Sequence, residues 1–317
     1  MSNLRLDPGL AAALAPFANM LKPEQANTAH ELRATNDATI GIFFGGRVPP
    51  STVTVTNFTF PAKDSTPLKL YRYAPTAADP AKPGPAVLDI HGGGMVSGSP
   101  GLFASTLWPY VERANVTIYA VQYRLAPEFP FPTPVDDAYA ALEWLQANAA
   151  EQNIDPKRIA VSGASAGGGI AAGLALKARD EKLSPPIAKL ILVYPMLDDR
   201  TQMEPDHPMA PYLTWTSKNN VIGWTAYVGE DRSNVSPYAA PARATDLSGL
   251  PRTFIDTGGL DLFRDEDIQF AARLAKANVD VEFHLYPGVS HGFDALGESI
   301  PVAKKAIANR ADAFKEF

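Results

Sequence analysis

The ten residues VSGASAGGGI (161–170) set one serine, Ser165, in the pattern Gly-x-Ser-x-Gly with small residues on either side. Ahead of it, RIAVSG (158–163) is short, apolar and strand-like; behind it, AGGGIAAGLALKARD (166–180) reads as a helix. Ser165 is therefore expected on a sharp turn from strand to helix, where a hydroxyl can stand free as a nucleophile. The competing reading is a glycine-rich turn that needs a small polar residue and does no chemistry. A lone pattern of this kind does not decide between them, so the rest of the chain must.

Outward from that stretch the texture is regular. Short apolar runs, PAVLDI (85–90), NVTIYAVQY (115–123), AKLILVYP (188–195), RTFIDTG (252–258) and VEFHLYPG (281–288), alternate with helical periodicity such as VDDAYAALEWLQANAA (135–150) and RDEDIQFAARLAKAN (264–278). Such alternation specifies a mostly parallel sheet with helices on both faces. STVTVTNFTF (51–60) and TPLKLYRYAP (66–75) alternate with period two and are expected as an antiparallel pair at the sheet edge. Residues 1–48 read as helical up to the Gly45-Gly46 break. The segment 198–231 interrupts the alternation, is too long for a connection and carries a helix-like run, SKNNVIGWTAY (217–227). The expected organisation is N-terminal cap helices over 1–48, a core over 49–197 and 232–317, and a cap insertion over 198–231. The two cap segments supply Phe17, Phe43, Phe44, Tyr212, Trp215 and Trp224, which are expected to wall the space over Ser165.

Composition narrows the partners. The 317 residues are 46% hydrophobic and 20% charged, with a formal net charge of −6, and no basic cluster offers a footprint for nucleic acid. With no cysteine, disulfides, thiolate catalysis and cysteine-held metals are excluded. The N-terminal apolar run follows Asp7 and Pro8 and is a poor secretory signal, and no window approaches the ~18–20 apolar residues of a spanning helix. The expectation is a cytoplasmic protein with no membrane insertion and no nucleic-acid partner. It acts on a small molecule without cofactor or metal, and its expected assembly is a homodimer.

A serine hydroxyl is a weak nucleophile until a base takes its proton, a third group orients the base and donors hold the oxyanion that forms. DIHGGGMVSGS (89–99) supplies exposed backbone N–H groups at Gly92, Gly93 and Gly94, and it lacks the Lys-Ser/Thr of a phosphate cradle. Of five histidines, His30 lies in the N-terminal helix, His91 in the glycine loop, His207 in the insertion and His284 within a strand. His291, in YPGVSHGFD (286–294), follows the last strand, at the carboxyl edge where open parallel sheets gather their chemistry. For the acid, Asp265, Glu266 and Asp267 read as capping and first-turn charge of the following helix, and Asp256 as strand. Asp261 remains, in the loop between them. The chain order Ser165, Asp261, His291 differs from both common protease orders.

Together HGGG (91–94), YRLAPEFPFPTPVDDA (123–138), GASAGG (163–168), DLFRDE (261–266) and SHGF (290–293) resemble the hormone-sensitive-lipase-like carboxylesterases, from about residue 85 to the end. The resemblance implies an α/β-hydrolase fold with a helical cap and hydrolysis of short- to medium-chain carboxylic esters through an acyl-enzyme. It implies an oxyanion hole formed by Gly93, Gly94 and Ala166. Three positions depart from the family's habit: Ala164 where aspartate is frequent, Met95 where an aromatic is, and Leu262 where proline is. None supplies a triad group; the first two bear on the acyl pocket and the third on the Asp261 loop. Arg124 is expected to pair with Glu128 or Asp136 beneath the site. The same triad would also serve a lactone, carbamate or arylamide, and a non-catalytic small-molecule receptor is the reading from another class.

Overall fold

The computed structural model describes residues 3–17, 26–77, 82–315 and 317. The parts of the N-terminal reading that fall on residues 1–2 and 18–25 lie outside these. Strands β1 (Val53–Pro61), β2 (Pro67–Pro75), β3 (Gly84–Ile90), β4 (Thr117–Gln122), β5 (Ile154–Ala164), β6 (Leu190–Val193), β7 (Thr253–Gly258) and β8 (Val281–Tyr286) form one sheet in the order β1-β2-β4-β3-β5-β6-β7-β8. The first two are antiparallel to each other and β2 to β4; every other pairing is parallel. The edge hairpin and parallel core expected from the sequence are therefore present, and the chain is an α/β hydrolase in fold.

The inner parallel strands are largely apolar because both of their faces are covered. On one face, Leu88, Ile90, Val161, Leu192 and Ile255 are fully buried in one apolar cluster. That cluster takes in residues of α4 (Thr133–Ala147), α5 (Ala166–Asp180) and α7 (Arg264–Lys276). On the other, Val87, Ala160, Ile191 and Phe254 meet α3 (Pro100–Ala114) and α8 (Pro301–Ala313). Helix α3 was not singled out by the sequence; Pro109 stands inside it and breaks the helical signature.

Two further helices precede the sheet. Helix α1 (Pro8–Leu14) is capped by Asp7, which accepts from Leu10 N at 3.0 Å, with proline at the first turn. Helix α2 (Ala29–Phe44) is capped by Thr28, and Glu31 reaches back to accept from Asn27 N at 2.8 Å. Helix α6 (Ser217–Val228) falls on the helix-like run of the 198–231 segment and touches α2. Among the described residues no helix is long and apolar enough to cross a membrane.

Candidate active site

Ser165 sits between β5 and α5 with φ +55° and ψ −122°, a conformation that residues with a side chain seldom adopt. The strain is held from both sides: Ser165 N donates to Val193 O at 2.9 Å and Met196 N donates to Ser165 O at 2.9 Å. Close approach fixes the glycine two residues on. A Cβ on Gly167 would stand 1.9 Å from Ile90 O, so α5 can press against the end of β3 only where no side chain intervenes.

His291 Nε2 lies 2.8 Å from Ser165 Oγ, and its Nδ1 lies 2.8 Å from Asp261 Oδ2. With Nδ1–H donating to the carboxylate, Nε2 is left free to accept the serine proton. Asp261 is fully buried, and its other oxygen accepts from Phe263 N at 2.9 Å, which fixes the carboxylate's orientation despite Leu262 in place of proline. The imidazole is clamped edge-on by Tyr194 and Phe263, with ring centroids 4.6 and 5.1 Å away. Tyr194 both packs on the imidazole and lines the cavity beside Ser165. Its hydroxyl donates to Asp294 at 3.0 Å, and Arg310 stacks over its ring while pairing with Asp294 and, at 2.6 Å, with the buried Asp256. Arg310 escaped the sequence reading because a lone arginine in a terminal helix carries no local sign of its burial.

The glycine loop is held over the serine. Gly93 O accepts from Ser97 N at 3.0 Å, and Gly94 lies so close under the Trp215 ring that a Cβ there would come within 2.3 Å of it. Ala166 is the first residue of α5, whose N–H the helix itself cannot pair. Gly93 and Gly94 border the same cavity as Ser165. His91 takes a supporting part: it stacks on Tyr123 at 4.3 Å, and burial holds it down at about 4, so it is neutral.

Other residues fall elsewhere than expected. Arg124 pairs with Asp137, at 2.6 and 2.9 Å, and with Asp64 at 2.7 Å, not with Glu128 or Asp136. One step along α4 turns Asp137 inward and leaves Asp136 facing Lys177, while Glu128 is taken by Arg33 of α2 at 2.6 Å. Asp265 is exposed on the first turn of α7 as expected, but Glu266 and Asp267 are buried, because the same rotation carries them under the sheet end. Glu266 accepts from Leu197 N and Asp198 N at 2.6 and 3.2 Å, and burial raises both carboxyls well above the usual range. His30, His207 and His284 bond locally or to surface groups, at Glu128, Met209 N and Glu282.

Ser165 and His291 open on a cavity of about 280 Å³. Phe43, Phe44 and Trp215 line it, whereas Trp224 is fully buried beneath, against Tyr227, and Phe17 backs Phe43 at 5.2 Å. Tyr212 donates to Leu4 O at 3.2 Å, and Thr214 donates to His291 O at 2.7 Å. The arrangement unites a serine, a base oriented by a buried acid, and glycine N–H groups around one apolar space.

The profile of the alpha/beta hydrolase fold matches residues 87–295. Esterase LipI of Mycobacterium tuberculosis is 37% identical over 237 residues, 74% of this chain and 73% of its own length. Ethyl acetate hydrolase of Pseudomonas putida is 29% identical over 320 residues, 99% of each chain. Among solved structures, a bacterial heroin esterase is 38% identical with a TM-score of 0.86, covering 98% of this chain and 97% of that one.

Proposed function

Since the chain belongs to the alpha/beta hydrolase fold family, in its hormone-sensitive-lipase-like branch, we propose that it is a serine carboxylesterase acting on short- to medium-chain esters. Ser165 Oγ attacks the ester carbonyl as His291 Nε2 takes its proton. The oxyanion is held by the N–H groups of Gly93, Gly94 and Ala166. His291 then gives the proton to the departing alcohol, leaving an acyl-serine, and water activated by the same nitrogen releases the acid. Asp261 keeps the imidazole in the required tautomer. The observation that carries this reading is the unbroken line Asp261–His291–Ser165, two contacts of 2.8 Å, ending in the cavity. The receptor alternative has no need of that line.

The cap belongs to the same reading. Segments 1–48 and 198–231 supply Phe43, Phe44 and Trp215 to the cavity wall, and α2 and α6 touch each other. They exclude water and bound the acyl and alcohol groups.

Purified protein should hydrolyse p-nitrophenyl acetate or butyrate. Asp261→Asn should lower kcat by about 10³ to 10⁴ with KM little changed, because the base is left in the wrong tautomer. Asp265→Asn should cost only ~0.3–1 kcal/mol of helix stability. Equal losses of turnover from both variants would contradict the assignment of the acid.

A further inference from the structure

The cavity does not end at the triad. Beyond Ser165 it is lined by Asp89 and Ser162 of the sheet, by Thr106 and Tyr110 of α3 and by Phe314 after α8. Asp89 and Ser162 stand opposite one another in the β3–β5 register, and the Ser162 hydroxyl donates to Asp89 Oδ1 at 2.6 Å. Ser162 lies three residues before Ser165 on β5, which sets the pair on the order of 10 Å inward from the nucleophile.

A carboxyl buried in a largely apolar wall is costly unless its oxygens are met. Asp256, on the same face of the sheet, is met by Arg310 at 2.6 and 3.2 Å. Asp89 has no such cation. Among the described residues its hydrogen-bond partner is Ser162 and it enters no ion pair. The 7% of its surface that stays accessible belongs to a residue lining this cavity. Burial pushes its carboxyl up to about 7, so both protonation states are present near neutrality.

Resting on the esterase reading, we propose that Asp89 and Ser162 form a polar subsite selecting esters whose chain in this cavity ends in a hydroxyl group. A hydroxyl donates and accepts, so it meets the carboxyl in either state and can also engage Ser162 Oγ. A plain alkyl end leaves the second Asp89 oxygen unmet once water is displaced. A carboxylate end brings like charge to it. A purely apolar cavity would give the opposite order, favouring alkyl over hydroxyalkyl ends.

The hydroxyl can sit on either half of the ester, and two probe pairs distinguish them: ethyl hexanoate against ethyl 6-hydroxyhexanoate, and hexyl acetate against 6-hydroxyhexyl acetate. In one pair the wild-type kcat/KM should favour the hydroxy ester by about tenfold or more, as expected for a bond to a charged or strongly polar group. That ratio should fall to unity or reverse in Asp89→Leu and shrink in Ser162→Ala. Should Asp89→Leu fail to fold, the wild-type ratios and the Ser162→Ala ratio still decide. Hydrolysis of the plain esters with no hydroxy preference in either pair would overturn the subsite, as would a preference that survives both substitutions. Absence of turnover on all four esters would instead strike the esterase reading beneath it, and the subsite with it.

Discussion

The two faces of the sheet below Ser165 are made of different material. Toward α4, α5 and α7 the strands present Leu88, Ile90, Val161, Leu192 and Ile255, all fully buried and apolar. Toward α3 and α8 they begin apolar at Val87, Ala160 and Phe254 and then turn polar at Asp89, Ser162 and Asp256. The dry face holds backbone: it lets α5 close on β3 at Gly167 and so fixes the turn that carries Ser165. The polar face holds side chains. Through Arg310, Asp294 and Tyr194 it supports His291, and through Asp89 and Ser162 it lines the cavity. Position of Ser165 is a matter of packing, and environment of His291 is a matter of charge.

That contrast is broken most severely at Arg310. Arg310→Met leaves the buried Asp256 and the half-buried Asp294 without their cation and should cost about 3–5 kcal/mol. Adding Asp256→Asn should restore part of the loss in denaturant melts. No recovery in the double variant would mean that the guanidinium acts by packing alone.

A smaller effect, with a sign, is expected at Asp89. The folded protein keeps this proton up to about pH 7, whereas the unfolded chain releases it near the ordinary value of 3.8. Between those values the folded state binds more protons, so the site's contribution to stability falls as pH rises, by on the order of 2–3 kcal/mol between pH 5 and 8. Asp89→Asn should flatten that part of the profile and gain most over wild type above pH 7. Parallel pH profiles for the two proteins would contradict the burial argument.

The dry face should show the smallest response. Ile90→Val removes one methylene from a fully buried position and should cost about 0.5–1.5 kcal/mol with no pH dependence and little change in turnover. A large loss of activity there would show that the elbow depends on more than backbone closure.

Much of this was legible in the chain because it is written locally. Period-two and period-3.6 patterns gave the strands and most helices, and Ser165, Asp261 and His291 each stand where a strand ends. What was not legible depends on which side chains meet across distant segments. Glu128 and Asp136 are the acids the sequence places near Arg124, but its further partner Asp64 comes from the β1–β2 turn. Glu266 and Asp267 look like ordinary first-turn charge until the rotation of α7 carries them under cover. Trp224, expected at the cavity wall, is core, since half a turn of helix separates the two faces. The Asp89–Ser162 pair is 73 residues apart in sequence and adjacent only through the β3–β5 pairing.

The central claim is that Ser165 forms the acyl-enzyme. Incubating the protein with a p-nitrophenyl phosphonate and mapping the adduct by peptide mass spectrometry tests it directly. The account predicts one adduct per chain, on the peptide containing Ser165. In Ser165→Ala it predicts no adduct, unchanged melting and turnover lowered by about 10³- to 10⁶-fold. An adduct on another residue, or retention of more than about a tenth of the activity by Ser165→Ala, would contradict it.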